Sequence, residues 1–207
     1  PDPPARLAMP ETGPSRRIHI LREDVSRKIA AGEVIDRPLS IVRELMDNCL
    51  DAGASSVDVY IEGGGLERIR VVDDGEGIRR EDLELCGERH ATSKILTEED
   101  LFRASTLGFR GEALASIAAC TRLSITSAPA GAEACRLVVE GGRRRALETC
   151  QGNPGTVVEA AELFFNLPAR KKFLGSPAAE ARACRQAFLD KALPHPSTAF
   201  RFFSDRS

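Results

Sequence analysis

Three carboxylates and one amide recur at helical spacing between residues 44 and 51, and their oxygen atoms could bind a metal ion. The set is Glu44, Asp47, Asn48 and Asp51. Residues at i, i+3, i+4 and i+7 share one face of a helix. Oxygen ligands of this kind suit Mg²⁺, which takes only one or two protein oxygens and keeps several waters. The alternative is a solvated acidic face, and the spacing alone leaves both interpretations open.

A second acidic cluster follows a predicted strand, in the sequence DDGEG at residues 73–77. An ionised carboxylate only accepts hydrogen bonds, so Asp73 can receive the exocyclic amino group of an adenine. Gly75 and Gly77 have no side chains, and the backbone there can approach a flat ring closely. Because Asp and Gly are also ordinary turn residues, a plain turn is the alternative for this motif taken alone.

Two further segments could contact phosphate groups. The sequence GFRG at residues 108–111 precedes a predicted helix, where free backbone N–H groups and the helix dipole favour anions. Ser93 and Lys94 could add a hydroxyl and a cation. The string GxxxxGK[ST] does not occur in the sequence, which excludes a P-loop nucleotide site. The alternative for the glycine-rich helix entry is close packing without a ligand.

The composition is that of an ordinary globular protein. The chain has 207 residues, of which 42% are hydrophobic and 29% are charged, and its formal net charge is −2. Contact with DNA would therefore need local basic patches, and RRR at 143–145 and RKK at 170–172 are candidates, with a solvated surface as the alternative. The six cysteines form no C-x-x-C pair, which argues against zinc and favours a reducing compartment.

The elements that would position these groups change from helical to strand periodicity along the chain. The helix carrying the acidic stripe is predicted from Arg37 to Gly53, with Pro38 in its first turn and Gly53 just past its end. Further helices are predicted over residues 27–31 (ending at Gly32), 80–86, 101–104, 112–119 and 177–193. Strands are predicted over residues 56–62, 67–72, 122–127, 135–140, 143–148, 156–160 and 198–203. The sequence thus predicts an α+β fold, a two-layer sandwich of helices over one mostly antiparallel mixed sheet.

The first 17 residues are rich in proline and are predicted to be a flexible lead to one domain over residues 18–207. The lead lacks the apolar stretch of a signal peptide. No apolar run approaches the roughly 18 residues of a membrane span. We therefore expect no membrane segment and a cytoplasmic location, or a nuclear one if the source is eukaryotic.

Four short patterns, taken in order, resemble the motifs of one ATPase superfamily. They are E-x-x-x-N from Glu44, D-x-G-x-G from Asp73, GFRG from Gly108, and Gly155-Thr156. DNA gyrase, sensor histidine kinases, the large heat-shock chaperone and MutL share that superfamily. Longer strings resemble the bacterial MutL family of DNA mismatch-repair proteins: IAAGEVIDRP at 29–38, RHATSKI at 89–95, LGFRGEALASI at 107–117 and LFFNLPARKKFL at 163–174. The resemblance implies a Bergerat-type ATP-binding fold over residues 18–207, with ATP and Mg²⁺ as cofactors.

The resemblance also implies a role for each matching residue. Glu44 would be the general base that activates the attacking water, Asn48 would hold Mg²⁺ through its amide oxygen, and Asp73 would bind the adenine. The adenine end of the pocket would be shaped by Asp51, Ala52, Gly75, Gly77, Ile78 and Thr156. The lid over the phosphates would comprise Thr92, Ser93, Lys94, Leu107, Gly108, Phe109, Arg110, Gly111, Glu112, Ala113 and Leu114.

Two positions depart from the family pattern. Asp47 stands where members usually have glutamate, and Asp74 stands where they often have asparagine. We expect the shorter Asp47 to loosen the positioning of water or metal, and the charge of Asp74 to disfavour a polyphosphate slightly. The alternative function is therefore a nucleotide-binding scaffold with impaired hydrolysis.

The family pattern also implies partners and a longer protein. ATP would order residues 87–111 and drive a homodimer. A MutS-type mismatch-recognition protein and a downstream helicase or nuclease would be partners, and DNA would bind weakly and without sequence preference. Family members add a second domain, which supplies a lysine to the terminal phosphate, and a C-terminal dimerisation region. We therefore expect an N-terminal fragment of a bacterial, DNA-associated cytoplasmic protein that hydrolyses ATP slowly.

Overall fold

The computed structural model describes residue 20 and residues 22–88 and 112–205. Within these ranges helices pack on a seven-stranded sheet. The helices are α1 (Glu23–Val34), α2 (Pro38–Asp51), α3 (Arg80–Leu83), α4 (Ala113–Cys120), α5 (Pro168–Lys171) and α6 (Pro177–Ala192). The strands are β1 (Ser56–Glu62), β2 (Arg68–Asp73), β3 (Arg122–Ala128), β4 (Ala134–Glu140), β5 (Arg143–Cys150), β6 (Gly155–Ala161) and β7 (Ala199–Ser204).

The sheet has the strand order β5-β4-β3-β6-β2-β1-β7. Neighbouring strands are antiparallel except β1 and β7, which are parallel. A parallel pair needs a long crossover connection, and α6 lies in the connection that leads to β7. The α+β fold with one mostly antiparallel mixed sheet is therefore confirmed.

The packing of α2 on the sheet forms the centre of the core. Leu45 and Met46 on the apolar face of α2 are buried, and so are Val57, Val59 and Ile61 on alternate positions of β1. Alternation along a strand sends successive side chains to opposite faces, so one face of the sheet lies under the helices. Pro38 begins α2 as predicted, since a first-turn position needs no N–H donor.

The prediction for α1 was wrong in its bounds. A helix over residues 27–31 was expected to end at Gly32, but α1 runs from Glu23 to Val34. Ser26 lies inside the helix, since its N–H donates to the carbonyl of Arg22 at 2.9 Å. The guanidinium of Arg170 donates to the Gly32 carbonyl, and a Cβ at Gly32 would lie 2.3 Å from the Arg170 Cζ atom. The helix therefore continues through Gly32 despite the weak helix propensity of glycine.

The other predicted helices differ less from the structure. The helix predicted over residues 80–86 ends earlier, at Leu83, and continues as turns. The short helix α5 was not predicted, and the helix predicted over residues 101–104 lies outside the described residues, as does the lead. No helix in the described ranges combines the length and apolar character that a bilayer span requires.

Candidate functional site

Backbone contacts join the carboxyl end of α2 to the turn that follows β2. The N–H of Glu76 donates to the carbonyl oxygen of Ala52 at 3.0 Å. A Cβ at Gly75 would lie 2.8 Å from the same oxygen, so the approach requires glycine. Ala52 and Gly75, both predicted as site residues, are therefore neighbours, and the acidic helix ends against the DDGEG turn.

Asp73 is the last residue of β2, and it is only 9% exposed. Its Oδ1 accepts from the N–H of Gly75 at 2.9 Å, and its Oδ2 accepts from the thiol of Cys49 at 3.2 Å. Burial raises the pKa of the Asp73 carboxyl above its usual value, while these donors and the backbone N–H of Thr156 oppose that rise. Two carboxylate oxygens offer about four lone-pair sites. The group can therefore accept a further hydrogen bond from a ligand.

A pair of hydroxyl groups lies beside Asp73 and fixes the adjoining loop. Thr156 on β6 is the register partner of Asp73, and its Oγ1 lies 2.8 Å from the Oγ of Ser127. The same Ser127 Oγ accepts from the N–H of Ile78 at 2.8 Å. Thr156 and Ile78, both predicted, are thus held together by Ser127. Sequence reasoning missed Ser127, because one serine in a strand pattern carries no signal of its own.

Two glycines allow backbone segments to approach this end of the site. Gly77 has a φ of 72°, and a Cβ there would lie 2.3 Å from the carbonyl oxygen of Ala128. Gly155 has a φ of 111°, and a Cβ there would lie 2.1 Å from the carbonyl oxygen of Asp73. Real Cβ atoms do not come that close to a backbone oxygen, and positive φ disfavours other residues. Both glycines are therefore required by the fold around Asp73.

The acidic face of α2 is not uniform. Glu44, Asn48 and Asp51 are partly buried, but Asp47 is 8% exposed and accepts two hydrogen bonds from the Nζ of Lys191, at 2.6 and 2.8 Å. Asp47 therefore differs from the other three members of the predicted stripe, because a lysine from another helix neutralises it. The lysine comes from α6, which is 144 residues away along the chain, so local spacing could not reveal it.

Asp74 differs from its neighbour Asp73 in both exposure and partners. Its Oδ1 accepts from the N–H groups of Ser55 and Ser56, both at 2.8 Å, and its Oδ2 accepts from the Ser55 hydroxyl at 2.5 Å. The Ser55 hydroxyl, followed by the N–H of Ser56, lowers the pKa of the Asp74 carboxyl. Asp74 therefore ties the turn after β2 to the start of β1.

The helix side of the predicted phosphate site lies at the start of α4. Glu112, Ala113 and Leu114 are partly buried there. A cavity of about 220 Å³ lies between α1 and α4, and Glu112 and Ala30 line it on the two sides. The other predicted lid residues lie outside the described ranges: Thr92, Ser93, Lys94, Leu107, Gly108, Phe109, Arg110 and Gly111.

The residue predicted to hold a metal ion is Asn48, through its amide oxygen. Asn48 and Glu44 lie one turn apart on α2. The described residues contain no group of three or more His, Cys, Asp or Glu side chains that could hold a metal. Mg²⁺ does not need such a group, because it takes one or two protein oxygens and completes its shell with water and phosphate. The amide oxygen of Asn48 therefore fits Mg²⁺ delivered with a polyphosphate, one turn away from Glu44 as the predicted general base.

The basic patches are partly engaged within the chain. Arg144 forms an ion pair with Glu84 at 2.5 Å, and Arg145 forms one with Glu140 at 3.1 Å. Arg170 donates to a carbonyl of α1. Exposed pairs of this kind contribute little to stability, but they reduce the positive charge presented to a phosphate backbone. Contact with DNA remains a prediction.

Comparison with known proteins shows the family to which the chain is similar. Residues 37–140, about half of the chain, match the family model described as histidine kinase-, DNA gyrase B-, and HSP90-like ATPase. The DNA mismatch repair protein MutL of Syntrophotalea carbinolica is 50% identical over 189 residues, which cover 91% of this chain and 30% of that protein. The chain thus spans about a third or less of the length of the curated relatives it matches.

Two solved structures resemble the chain in fold. The Aquifex aeolicus MutL ATPase domain complexed with ADP has a TM-score of 0.66 and 32% identity, and the match covers 83% of this chain and 61% of that one. The N-terminal domain of a DNA repair protein has a TM-score of 0.73 and 30% identity, and the match covers 86% of this chain and 51% of that one.

Proposed function

The chain belongs to the family of histidine kinase-, DNA gyrase B- and HSP90-like ATPases, in its MutL-type mismatch-repair branch, and on this basis we propose that it binds ATP and slowly hydrolyses it within a DNA mismatch-repair protein. The observation that carries the proposal is the contact between Ala52 and Gly75. That contact holds the helix of Glu44 and Asn48 against the turn of Asp73, so one nucleotide can reach both. The related Aquifex aeolicus domain was solved with ADP, which supports nucleotide binding by this chain.

At the base end, Asp73 accepts the exocyclic amino group of adenine. Its burial excludes competing water, and a hydrogen bond to a charged group contributes roughly 1.5–3 kcal/mol. Gly75 and Gly77 let the turn pack closely on Ala52 and Ala128, which shapes this end of the pocket, and Thr156 would hold its far side. The remaining residues proposed to shape this end are Asp51, Ala52 and Ile78.

At the phosphate end, Glu44 takes the proton from the water that attacks the terminal phosphorus, as a general base does. Asn48 would hold Mg²⁺ through its amide oxygen. The bound ion would offset the charge of the triphosphate. The predicted lid, over residues 87–111, would complete this end from outside the described ranges, together with Glu112, Ala113 and Leu114.

The proposed role is a switch rather than a metabolic reaction. ATP binding would order the predicted lid and favour a homodimer, by stabilising the conformation that pairs. The dimer would connect a MutS-type mismatch-recognition protein to a downstream helicase or nuclease, with weak and non-specific contact to DNA in the bacterial cytoplasm. The proposed domain comprises residues 18–207, with residues 1–17 as its lead.

Nucleotide titration with Glu44→Ala tests the assignment. The variant should bind ATP within about threefold of the unchanged chain, but should lose turnover in the full-length protein, since a general base contributes about 10²–10⁴-fold. Glu148→Ala, an exposed carboxylate change on β5, is the matched control and should alter neither quantity.

Two outcomes would contradict the proposal. An unchanged chain that does not bind ATP would remove the nucleotide site altogether. Full-length protein that binds ATP without turnover, with or without Glu44, would favour the alternative function of a nucleotide-binding scaffold with impaired hydrolysis. That alternative is suggested by the departures from the family pattern at Asp47 and Asp74.

A further inference from the structure

The thiol of Cys49 and the carboxylate of Asp73 meet in a buried contact between α2 and β2. Cys49 follows Asn48 on α2 and is 4% exposed. Its Sγ lies 3.2 Å from the Oδ2 of Asp73. An ionised carboxylate can only accept, so the thiol is the donor. Cys49 is thus a direct side-chain link between the helix of the phosphate end and the residue proposed to bind the base.

Two donors from two different segments hold the Asp73 carboxylate. The N–H of Gly75 belongs to the turn after β2, and the thiol of Cys49 belongs to α2. The first donor is a backbone group that no substitution removes cleanly. The thiol is the one that a side-chain change can delete while the backbone stays in place.

The thiol of Cys49 is fixed as a donor. Its Sγ donates to the Asp73 carboxylate across 3.2 Å in a contact that excludes solvent, because both residues are buried. A buried thiol of this kind is also chemically inert, so its role must be sought in this hydrogen bond or in packing.

We propose that Cys49 is a specificity-determining positioning residue, whose S–H···O bond fixes the rotation of the Asp73 carboxylate so that an acceptor oxygen faces the 6-amino group of adenine. The inference rests on the proposed function of Asp73 as the adenine acceptor. Without the thiol, the carboxylate can rotate or take up a proton. A rotated carboxylate no longer aims an acceptor at the 6-amino group, and a protonated carboxyl can donate to a 6-keto purine. The wild-type arrangement repels a 6-keto purine because two acceptors would face each other.

Binding of ATP and inosine triphosphate, which carries an oxygen in place of the 6-amino group, tests this role. Cys49→Ala should lower the preference for ATP over inosine triphosphate by about three- to tenfold, the effect of one hydrogen bond. Cys49→Ser retains a donor and should keep the preference within about twofold. Cys184→Ala removes a fully buried thiol on α6 and is the control for loss of a core sulfur.

A second pair of variants protects the test against a folding defect. Cys49→Thr and Cys49→Val have the same shape and differ only in the hydroxyl donor. The Thr variant should discriminate better between the two nucleotides than the Val variant. Thermal melting of each variant without nucleotide reports packing separately.

The outcomes distinguish the two proposals. If the unchanged chain shows no preference for ATP, both the adenine assignment and the role of Cys49 are overturned. If it prefers ATP and Cys49→Ala weakens both nucleotides equally, or if Thr and Val discriminate alike, Cys49 only packs. A selective loss in the Ala and Val variants supports the positioning role.

Discussion

Asp73 and Asp74 are adjacent carboxylates that the fold holds in opposite ways. Asp73 is buried at the end of β2, and burial raises the pKa of its carboxyl. Asp74 is exposed, and the hydroxyl and N–H of Ser55 with the N–H of Ser56 lower the pKa of its carboxyl. One carboxylate keeps acceptor capacity for a ligand, while the other uses its oxygens within the turn. The two residues are of the same type, so their hydrogen-bond partners and not their type distinguish the proposed ligand-binding carboxylate from the structural one.

The two shifts have opposite consequences for stability. A carboxyl whose pKa is raised in the folded state stabilises the fold most when protonated, below its unfolded pKa, and that contribution is lost as pH rises through its folded pKa. Asp73 therefore makes the fold less stable at neutral pH than a neutral side chain would. A carboxyl whose pKa is lowered contributes stability above its unfolded pKa and loses it as pH falls through the folded pKa. Asp74 is of this second kind.

The largest expected effect is that of Asp73→Asn on nucleotide affinity. If the Asn oxygen keeps the bond to the Gly75 N–H, its amide NH₂ stands where Oδ2 accepted, and two donors then face each other at the adenine amino group. We expect the Kd for ATP to rise about 100-fold. The thermal midpoint without nucleotide should stay the same or rise at pH 7, because a buried charge has been removed.

Asp74→Asn is the control for that experiment, since it makes the same chemical change one residue later. It should leave the Kd for ATP within about twofold. Equal losses of affinity at both positions would break the comparison, because Asp74 would then contribute to the site as Asp73 does.

The second prediction disturbs both carboxylates at once through Gly155. A methyl group at Gly155 would lie 2.1 Å from the Asp73 carbonyl oxygen and 3.0 Å from the Asp74 Cα. Gly155→Ala should therefore lower the free energy of unfolding by about 2–4 kcal/mol, and it should weaken ATP binding. Urea denaturation measures the first quantity and titration of the folded variant measures the second.

Gly131→Ala provides the matched control, since Gly131 also has positive φ, at 78°, but a Cβ there meets nothing within 4 Å. Only backbone strain, roughly 1 kcal/mol, should appear. If Gly155→Ala were as stable as Gly131→Ala, the backbone around Asp73 would be able to shift and accommodate the methyl group without a loss in the free energy of unfolding.

The parts of this arrangement that the sequence predicts are those with local signals. The bounds of α2 follow from Pro38 and Gly53, and the alternation of Val57, Val59 and Ile61 predicts β1 and its buried face. The same signals predict that Asp73 ends a strand. A helix period and a strand period are properties of neighbouring residues, so they need no tertiary information.

The contacts that distinguish the roles of Asp47 and Asp73 come from residues that are distant in the sequence. Lys191 reaches Asp47 from α6, and Cys49 donates to Asp73 across the gap between α2 and β2. By type alone, a cysteine on the apolar side of a helix is expected to be a small buried hydrophobic residue. Periodicity predicts which face of its own helix or strand a residue occupies, but it does not predict the residue's partner on another element. The ion pair of Asp47 with Lys191 and the hydrogen bond from Cys49 to Asp73 were therefore both missed.

The smallest expected effect is that of Asp74→Asn on stability. The amide oxygen can still accept from the N–H of Ser55 or Ser56, but the charge that strengthens these bonds is gone. Since Asp74 is exposed, we expect the thermal midpoint at pH 7 to fall by only about 2 °C.

The difference in thermal midpoint between the variant and the unchanged chain should shrink as pH falls through the native pKa of Asp74, because both proteins then carry a neutral group at that position. Melting curves between pH 7 and pH 3 measure this convergence, with Ser55→Ala as a variant that removes a donor and keeps the charge. A difference independent of pH would show that Asp74 acts through the shape of its turn and not through its charge, and the contrast with Asp73 would then concern burial alone.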